Sequence, residues 1–383
     1  MFDHTLSAAH PLSGYGWDEG FAENFTPYAG QGIVPGRIVR VDRGRVDAVV
    51  AASAGDGDGT GDGVRTVLAD TALVATSDPM KVPCTGDWAV IDLENGRAGN
   101  HVDGVVRALL PRRTAFVRST SSKRSEGQIL AANVDHAVIA VSLAEEFDLG
   151  RIERFVSLAW ESGAQPLVAL TKADLAGGPD RLAHLVEDAA TVAPGVQVLG
   201  VSSATGEGVE ALAAVLAGGT SVLLGRSGAG KSTLANALVG EYVQDVQAIR
   251  DRDGKGRHTT TTRDLLALPW GGVLIDTPGL RGVGLWDAET GLARTFSDVE
   301  ALAEECRFPD CAHETEPGCA VLAAIEDGAL PERRLESFRK LRRENLRIVA
   351  KTDARVRADI RRDWKQKQAL GRHMGERKRG SRG

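Results

Sequence analysis

The pattern of apolar and polar positions divides the chain into successive regimes. Between Gly36 and Arg112, short alternating runs recur: Gly36-Arg-Ile-Val-Arg-Val41, Arg45-Val-Asp-Ala-Val-Val50, Val64-Arg-Thr-Val-Leu68, Asp87-Trp-Ala-Val-Ile-Asp92 and Gly104-Val-Val-Arg-Ala-Leu-Leu110. A period of two puts alternate side chains on one face, so each run reads as a strand. Such short strands over about 75 residues predict a small closed barrel of the OB-fold kind. From about residue 130 the period changes. Ala137-Val-Ile-Ala-Val141 and Gln165-Pro-Leu-Val-Ala-Leu170 are apolar enough for buried strands, with the amphipathic Ile152–Ala159 between them as a helix. Helix 179–191, strand 196–202 and helix 208–217 follow, and Pro269-Trp-Gly-Gly272 joins strands near 264–268 and 272–276 as a hairpin. Strands alternating with helices predict a parallel α/β sheet. Beyond residue 296 the pattern is helical, and 331–350 alternates apolar and basic positions at helical spacing, a helix that packs on one face and offers Arg on the other. Residues 1–33 have no clear period and read as a poorly ordered leader. The last 20 residues read as a disordered basic tail.

The chemistry centres on one stretch of the α/β region. Gly225-Arg226-Ser227-Gly228-Ala229-Gly230-Lys231-Ser232 follows the apolar Ser221–Leu224 and precedes the helical Thr233–Val239. Glycines at these spacings let backbone N–H groups curl round a diphosphate. Lys231 can reach the β and γ phosphates, and Ser232 can place its hydroxyl on Mg²⁺. The following helix turns its positive end to the same anion. The eight-residue pattern is complete, with strand and helix on the correct sides, so this is a nucleotide phosphate site.

Two further segments select the nucleotide. Asp276-Thr-Pro-Gly279 ends the run Gly272–Ile275; an Asp at a strand end can hold Mg²⁺ through water, and the Gly279 N–H can sense a γ-phosphate. The 165–170 strand leads into Thr171-Lys172-Ala173-Asp174, whose carboxylate can accept from N1–H and N2–H₂ of guanine while the Lys172 stem lies across the purine plane. Adenine lacks that donor pair. Ser202-Ser203-Ala204 supplies small residues to back the guanine O6. The three segments together favour GTP over ATP. Their order is unusual, because the base-reading pair precedes the phosphate loop. A parallel sheet tolerates this, since joining the old ends and opening another loop preserves strand neighbours. The chain therefore reads as a circularly permuted GTPase.

Between the phosphate loop and DTPG lies Gly254-Lys-Gly-Arg-His-Thr-Thr-Thr-Thr262. A Thr-rich loop here suits a switch that holds Mg²⁺ through Thr259 or Thr260 and senses the γ-phosphate. Leu280 follows DTPG where many GTPases place a water-orienting Gln, so His258 or a partner must do that work. Further along, Cys306-x₄-Cys311-x-His313-x₅-Cys319 offers three thiolates and an imidazole, a complete tetrahedral Zn²⁺ set with no open position. Ser53–Gly63 carries Asp56, Asp58 and Asp62 at Ca²⁺-loop spacing, but position 12 is Val67 instead of Glu, so it reads as a strand-to-strand loop. Cys84 reads as an ordinary core residue of the barrel. Pro111–Arg124 holds five cations and no acid; it reads either as an RNA-facing linker or as a solvated connection.

Composition adds an asymmetry. The 383 residues carry a net charge of −6, yet 331–383 has 19 Lys/Arg against 7 Asp/Glu, so the body is strongly acidic and the C-terminal arm strongly basic. That arm suits contact with RNA. No apolar run approaches the roughly 18 residues of a membrane span, and no basic start followed by an apolar core marks a secretory signal. Four Cys, three of them clustered, fit a reducing compartment, so a cytoplasmic protein is expected.

With the permuted motif order, GRHTTT and the Cys₃His spacing in place, the chain resembles the ribosome small subunit-dependent GTPase A family over roughly residues 34–350. The resemblance implies a multidomain α/β protein: an N-terminal OB-fold β-barrel at 34–113, a circularly permuted P-loop GTPase domain at 122–289 and a C-terminal α-helical zinc-binding domain at 296–352, flanked by the leader and a basic tail at 353–383. It implies a GTPase acting in late maturation of the small (30S) ribosomal subunit, binding that subunit and its 16S rRNA, stimulated by it, and monomeric. It carries over Thr171 to Asp174 for guanine, Gly225 to Thr233 for phosphates, and Cys306, Cys311, His313 and Cys319 for one structural zinc. One departure is Thr171, where the family usually has Asn. Two rivals are an RNA chaperone that uses GTP only to fold, and a metabolic P-loop kinase. Asp174 and the lack of any visible acceptor site count against the kinase.

Overall fold

The computed structural model describes residues 10–52, 63–94, 102–119, 127–240, 264–276 and 288–353, with short stretches from there to 365. Five strands, β1 (Ile33–Asp42), β2 (Arg45–Ala51), β3 (Val64–Asp70), β4 (Trp88–Asp92) and β5 (Gly104–Leu109), close a barrel in the order β1-β2-β3-β5-β4, the Greek-key closure of an OB-fold. Alternation works as the sequence predicts: Val46, Ala48 and Val50 of β2 point inward with Ile38, Val67, Ile91 and Val106.

The outward positions of several strands are apolar as well, and these need cover. Val39, Val49, Val64, Trp88 and Val90 form one cluster with Leu12, Trp17 and Phe21. This corrects the expectation of a poorly ordered leader over residues 10–28. A 3₁₀ turn at Pro11–Tyr15 and a helix α1 (Glu19–Phe25) lie against the barrel. The Trp17 ring meets Trp88 edge-on at 4.8 Å and stacks near Phe21 at 6.2 Å. Asp18 caps α1 by accepting from the Phe21 N–H, and pairs with Arg113, whose guanidinium lies 3.8 Å over the Phe21 ring. Aromatic stacking and cation–π contact in a desolvated cluster outweigh the low propensity of so short a helix.

The basic stretch after the barrel is corrected too. Pro111–Arg124 is not a linker throughout: β6 (Ala115–Ser119) pairs antiparallel with β7 (Gly127–Ala132). Arg112 forks onto Asp87 and onto the Met80 and Val82 carbonyls, so two of the five cations are committed within the protein. Cys84 is buried, but beside Ile129 and Ala132 of this hairpin instead of inside the barrel. Of the Ser53–Gly63 loop only Gly63 lies within the described residues.

The α/β region forms a six-stranded sheet. Its strands are β8 (His136–Ser142), β9 (Gln165–Thr171), β10 (Gln197–Val201), β11 (Thr220–Leu224), β12 (Asp264–Ala267) and β13 (Val273–Asp276). The order is β10-β9-β8-β11-β13-β12, parallel except for the β12–β13 hairpin. Helices α2 (Leu149–Glu161) and α3 (Pro179–Val192) pack on one face; α4 (Val209–Leu216) and α5 (Lys231–Val239) pack on the other through Leu212, Leu216, Leu234 and Leu238. Strand order reverses between β8 and β11, and ligands in such sheets bind at the carboxyl ends beside that switch.

Four helices complete the described chain: α6 (Glu289–Thr295), α7 (Ser297–Glu304), α8 (Ala320–Glu326) and α9 (Glu332–Thr352). A Cβ at Gly291 of α6 would sit 2.1 Å from the Ser157 carbonyl of α2, so glycine is what permits that contact. The expected basic face of α9 is real but incomplete. Arg342, Arg343 and Arg347 are exposed, whereas Arg334 is buried with Leu335, Phe338 and Leu341.

Candidate functional site

The site grows from the carboxyl ends of β8, β9, β10 and β11. Register places Val201 opposite Thr171 and Ser142 opposite Thr171, so the loops leaving β10 and β8 flank the one leaving β9. The phosphate loop leaves β11 next to them. Gly225 has φ +138°, and a Cβ there would lie 2.5 Å from the Ala140 carbonyl, so only glycine lets the loop cross the end of β8. Gly228 and Gly230 also have positive φ, and Gly230 caps α5, whose first turn is Lys231-Ser232-Thr233. Lys231 Nζ donates to the Gly225 carbonyl at 2.8 Å and to that of Arg226, so the loop wraps its own lysine. Ser232 and Thr233 are exposed at the mouth. Arg226 pairs with Glu145 from the β8–α2 loop at 3.2 Å.

The Thr171–Asp174 segment is tied directly to this loop. Thr171 Oγ1 donates to the Ala229 carbonyl at 2.8 Å, and its other near neighbour is the Val141 carbonyl at 3.3 Å. Lys172 is left-handed, φ +58°, and Nζ donates to the Gly228 carbonyl at 3.2 Å. The following 3₁₀ turn, Ala173–Leu175, carries Asp174, whose Oδ1 accepts from Ser202 Oγ at 2.6 Å. Ser202 Oγ also accepts from the Thr205 N–H, which fixes the hydroxyl on the carboxylate; Ser203 and Ala204 continue that loop outward. Thus Thr171 to Asp174, Ser202 to Ala204 and Gly225 to Thr233 come together on one edge, although 54 residues separate Thr171 from Gly225. Thr171 supplies the donor that joins the two loops.

Asp276 ends β13, the strand paired directly with β11, which the phosphate loop leaves. Gly279, Leu280 and the switch candidates His258, Thr259 and Thr260 lie outside the described residues.

The Cys306, Cys311, His313 and Cys319 ligand atoms all lie within 4.8 Å of one another. Cys306 and Cys319 Sγ are 3.9 Å apart, and His313 Nδ1 lies 3.6 and 3.4 Å from them. Tetrahedral bonds of about 2.3 Å to sulfur and 2.0–2.1 Å to nitrogen require S···S near 3.8 Å and S···N near 3.6 Å, so the donor set fits one tetrahedral ion. Burial, then the charges of Arg342 and Arg339, holds the His313 imidazole below its ordinary value, leaving it neutral as a ligand must be. Burial pushes the Cys306 thiol up, but hydrogen bonds with the Val321 and Ala320 N–H groups and with Cys319 and Cys311 together bring it below its ordinary value. Glu316, which the motif does not flag, folds the ligand loop by accepting from the Ala312, Glu314 and Thr315 N–H groups; its own N–H first, then these three, hold its carboxyl down at about 2.

A second feature that the motifs do not flag joins the helices at 289–352 to the sheet. Glu153 of α2 is fully buried and accepts from Arg334, Arg333 and Ser337 of α9. Arg334 also forks onto Asp298 of α7 and donates to the Thr295 and Val192 carbonyls. Among the described residues no helix is long and apolar enough to cross a membrane.

Residues 109–286 match the family model of the RsgA GTPase. A small ribosomal subunit biogenesis GTPase RsgA of Streptomyces coelicolor is 67% identical over 369 residues, 96% of each chain. The protein of that name from Streptomyces avermitilis is 65% identical, over 98% of this chain and 96% of its own. Among solved structures, YjeQ from Thermotoga maritima aligns with TM-score 0.57 at 24% identity, covering 82% of this chain and 99% of its own. YloQ, described as a circularly permuted GTPase, aligns with TM-score 0.58 at 21% identity over 82% and 96%. These two likenesses are of fold.

Proposed function

The chain belongs to the RsgA GTPase family, and from that premise we propose a GTP hydrolase that acts in biogenesis of the small ribosomal subunit, the activity its relatives' names carry. The observation that most supports it is the join between the loops: Thr171 on Ala229 and Asp174 on Ser202 put a guanine-reading carboxylate beside a phosphate loop. The reaction is GTP plus water to GDP and phosphate, by in-line attack on the γ-phosphorus. Asp174 accepts the two guanine donors, with Ser202 holding the carboxylate in place; Ser203 and Ala204 back the base and Lys172 lies across it. Gly225 to Gly230 give N–H groups to the phosphates. Lys231 leaves the Gly225 and Arg226 carbonyls for the β and γ oxygens, a short swing because those carbonyls border the same loop. Ser232, with Thr259 or Thr260 and with Asp276 through water, would hold Mg²⁺, which neutralises charge on the β and γ oxygens.

We assign the finer points in the same way. Cys306, Cys311, His313 and Cys319 hold one structural zinc. The protein works as a cytoplasmic monomer on the 30S subunit late in its maturation, and touches 16S rRNA through the barrel and the basic C-terminal arm. The domains run 34–113, 122–289 and 296–352. Free enzyme is slow, because Leu280 cannot orient water; the subunit brings His258 into place to do so. The test is GTP turnover with and without purified small subunits, in wild type and His258→Ala. Stimulation that falls on the order of 10²-fold in the variant, with nucleotide and subunit binding kept, is the expected result. Wild-type turnover by the variant on the subunit would remove His258 from the chemistry. Tight GTP binding with no stimulated hydrolysis would favour the chaperone reading.

A further inference from the structure

His313 differs from the other three members of the Cys₃His set in its backbone. It is buried and left-handed, φ +57°, a state uncommon for a residue with a Cβ and kept only where the surroundings fix it. Two of its polar groups meet the cluster itself. Nδ1 lies 3.6 and 3.4 Å from the Cys306 and Cys319 sulfurs, and the N–H donates to the Cys311 thiol. Glu316 folds the loop on both sides of it, through bonds that stay within the loop. The third polar group reaches outside. The His313 carbonyl accepts from Arg339 Nη2 of α9, 26 residues further along the chain.

Helix α9 places Arg339 for this contact. Leu335 and Phe338 on the same side of the helix are buried, and Arg334, five residues earlier, seats the helix through Glu153 and Asp298. Arg339 itself is half-buried, and the exposed basic side begins beside it at Lys340, Arg342 and Arg343. Charge works in the same direction. Three thiolates and a neutral imidazole leave a divalent ion with one net negative charge, and Arg342 and Arg339 both bring positive charge toward His313. Partners of this kind, bonded to a ligand and not to the ion, orient the ligand and govern metal affinity.

On the assignment of one zinc to the Cys₃His set, we propose that Arg339 is a positioning residue of that site. Its bond to the His313 carbonyl holds the imidazole on the three thiolates and makes metal binding and the seating of α9 depend on one another. Coupling of this kind is reciprocal: what α9 contributes to metal affinity, the metal returns to α9.

The test uses the full chain, with metal analysis of wild type first. A chain that carries no metal and takes up no Co²⁺ sinks the zinc assignment and this proposal with it. With metal present, its transfer to an excess of chromogenic chelator is timed for wild type and three variants. Arg339→Met should release metal at least about tenfold faster. Arg339→Lys, which keeps a cationic donor of similar reach, should return to within about threefold of wild type. Arg342→Met, which removes a nearby charge but no bond to the loop, should also stay within about threefold. Hydrogen exchange around residue 339 is then followed before and after chelation. Wild type should lose protection there, and Arg339→Met should change less, because its link is already cut. If Arg339→Met does not fold, Arg339→Gln, whose amide is too short for the carbonyl, replaces it. Wild-type release by the variant overturns the proposal while leaving the zinc assignment intact. So does equal acceleration by Arg342→Met, which would make charge the whole effect, or no rescue by Arg339→Lys. Exchange in α9 that is the same with and without metal overturns it as well.

Discussion

Replacing Glu153 by Met removes the carboxylate on which the C-terminal helices converge while keeping the volume. Glu153 is fully buried, and Arg334 Nη1 and Arg333 Nη2 reach it at 2.6 and 2.8 Å, with the Ser337 hydroxyl on its second oxygen. The three bonds differ in worth. Arg333 is 38% exposed and recovers hydration, so its loss costs at most about 1 kcal/mol. Ser337 turns its hydroxyl elsewhere at a cost of about 1 kcal/mol. Arg334 is 3% exposed and keeps only Asp298 and two carbonyls, so breaking this buried pair dominates and sets the total at roughly 3–5 kcal/mol. The double variant Glu153→Met/Arg334→Met removes both charges. Its remaining acid, Asp298, is 34% exposed and can turn to water, so the double variant should recover to within about 1–2 kcal/mol of wild type.

The assay is urea unfolding by far-UV circular dichroism, with hydrogen exchange read separately in α2 and α9, since a multidomain chain need not unfold in one step. Exchange in α9 should rise more than in the barrel, because α9 loses the anchor. A single variant within about 1 kcal/mol of wild type would mean that the pair carries no net weight. A double variant as damaged as the sum of the two singles would mean that Glu153 and Arg334 act independently. Either result refutes the account of the network.

Asp174→Asn should weaken GTP by about 10²-fold or more and favour xanthosine triphosphate, measured by nucleotide titration; unchanged GTP affinity would remove Asp174 from base reading. Metal analysis should find one zinc per chain, and Cys311→Ser should lower both zinc content and the stability of the C-terminal helices; retention of both would sink the site. Arg113 beside Asp18 holds that carboxyl below its ordinary 3.8, so the ion pair contributes stability above pH 3.8 that is lost as pH falls below it. Asp18→Asn keeps the cap but not the charge: hydrogen exchange at the Phe21 amide should be faster than wild type at neutral pH and converge with it below pH 3.8. A difference that persists unchanged in acid would contradict the linkage.

The features that a sequence discloses are those whose physical cause is local. The phosphate loop needs glycines, a lysine and a hydroxyl within eight positions, because one turn and one helix start do the work. The Cys₃His cluster spans 14 residues for the same reason. The barrel strands declare themselves because a half-buried strand must alternate. Trp88-Ala-Val-Ile-Asp92 is buried throughout, and that same uninterrupted run signals that something covers its outer face. The cover is Trp17 and Phe21, four positions apart on either side of the Asp18 cap, a signal too short to stand without its partner. The strand Ala115–Ser119 was obscured by its neighbours Arg112 and Arg113, whose charge belongs to Asp87 and Asp18 and not to solvent. Helix α9 makes the general point. Arg334 and Arg342 lie two turns apart on one helix with similar neighbours in the chain, yet one is buried and the other exposed. Helical period gives the face that turns inward, but not the cost of turning a guanidinium with it. That cost is offset by Glu153, which arrives from 181 residues earlier, and by Asp298. A buried cation is thus legible only once its acid is known.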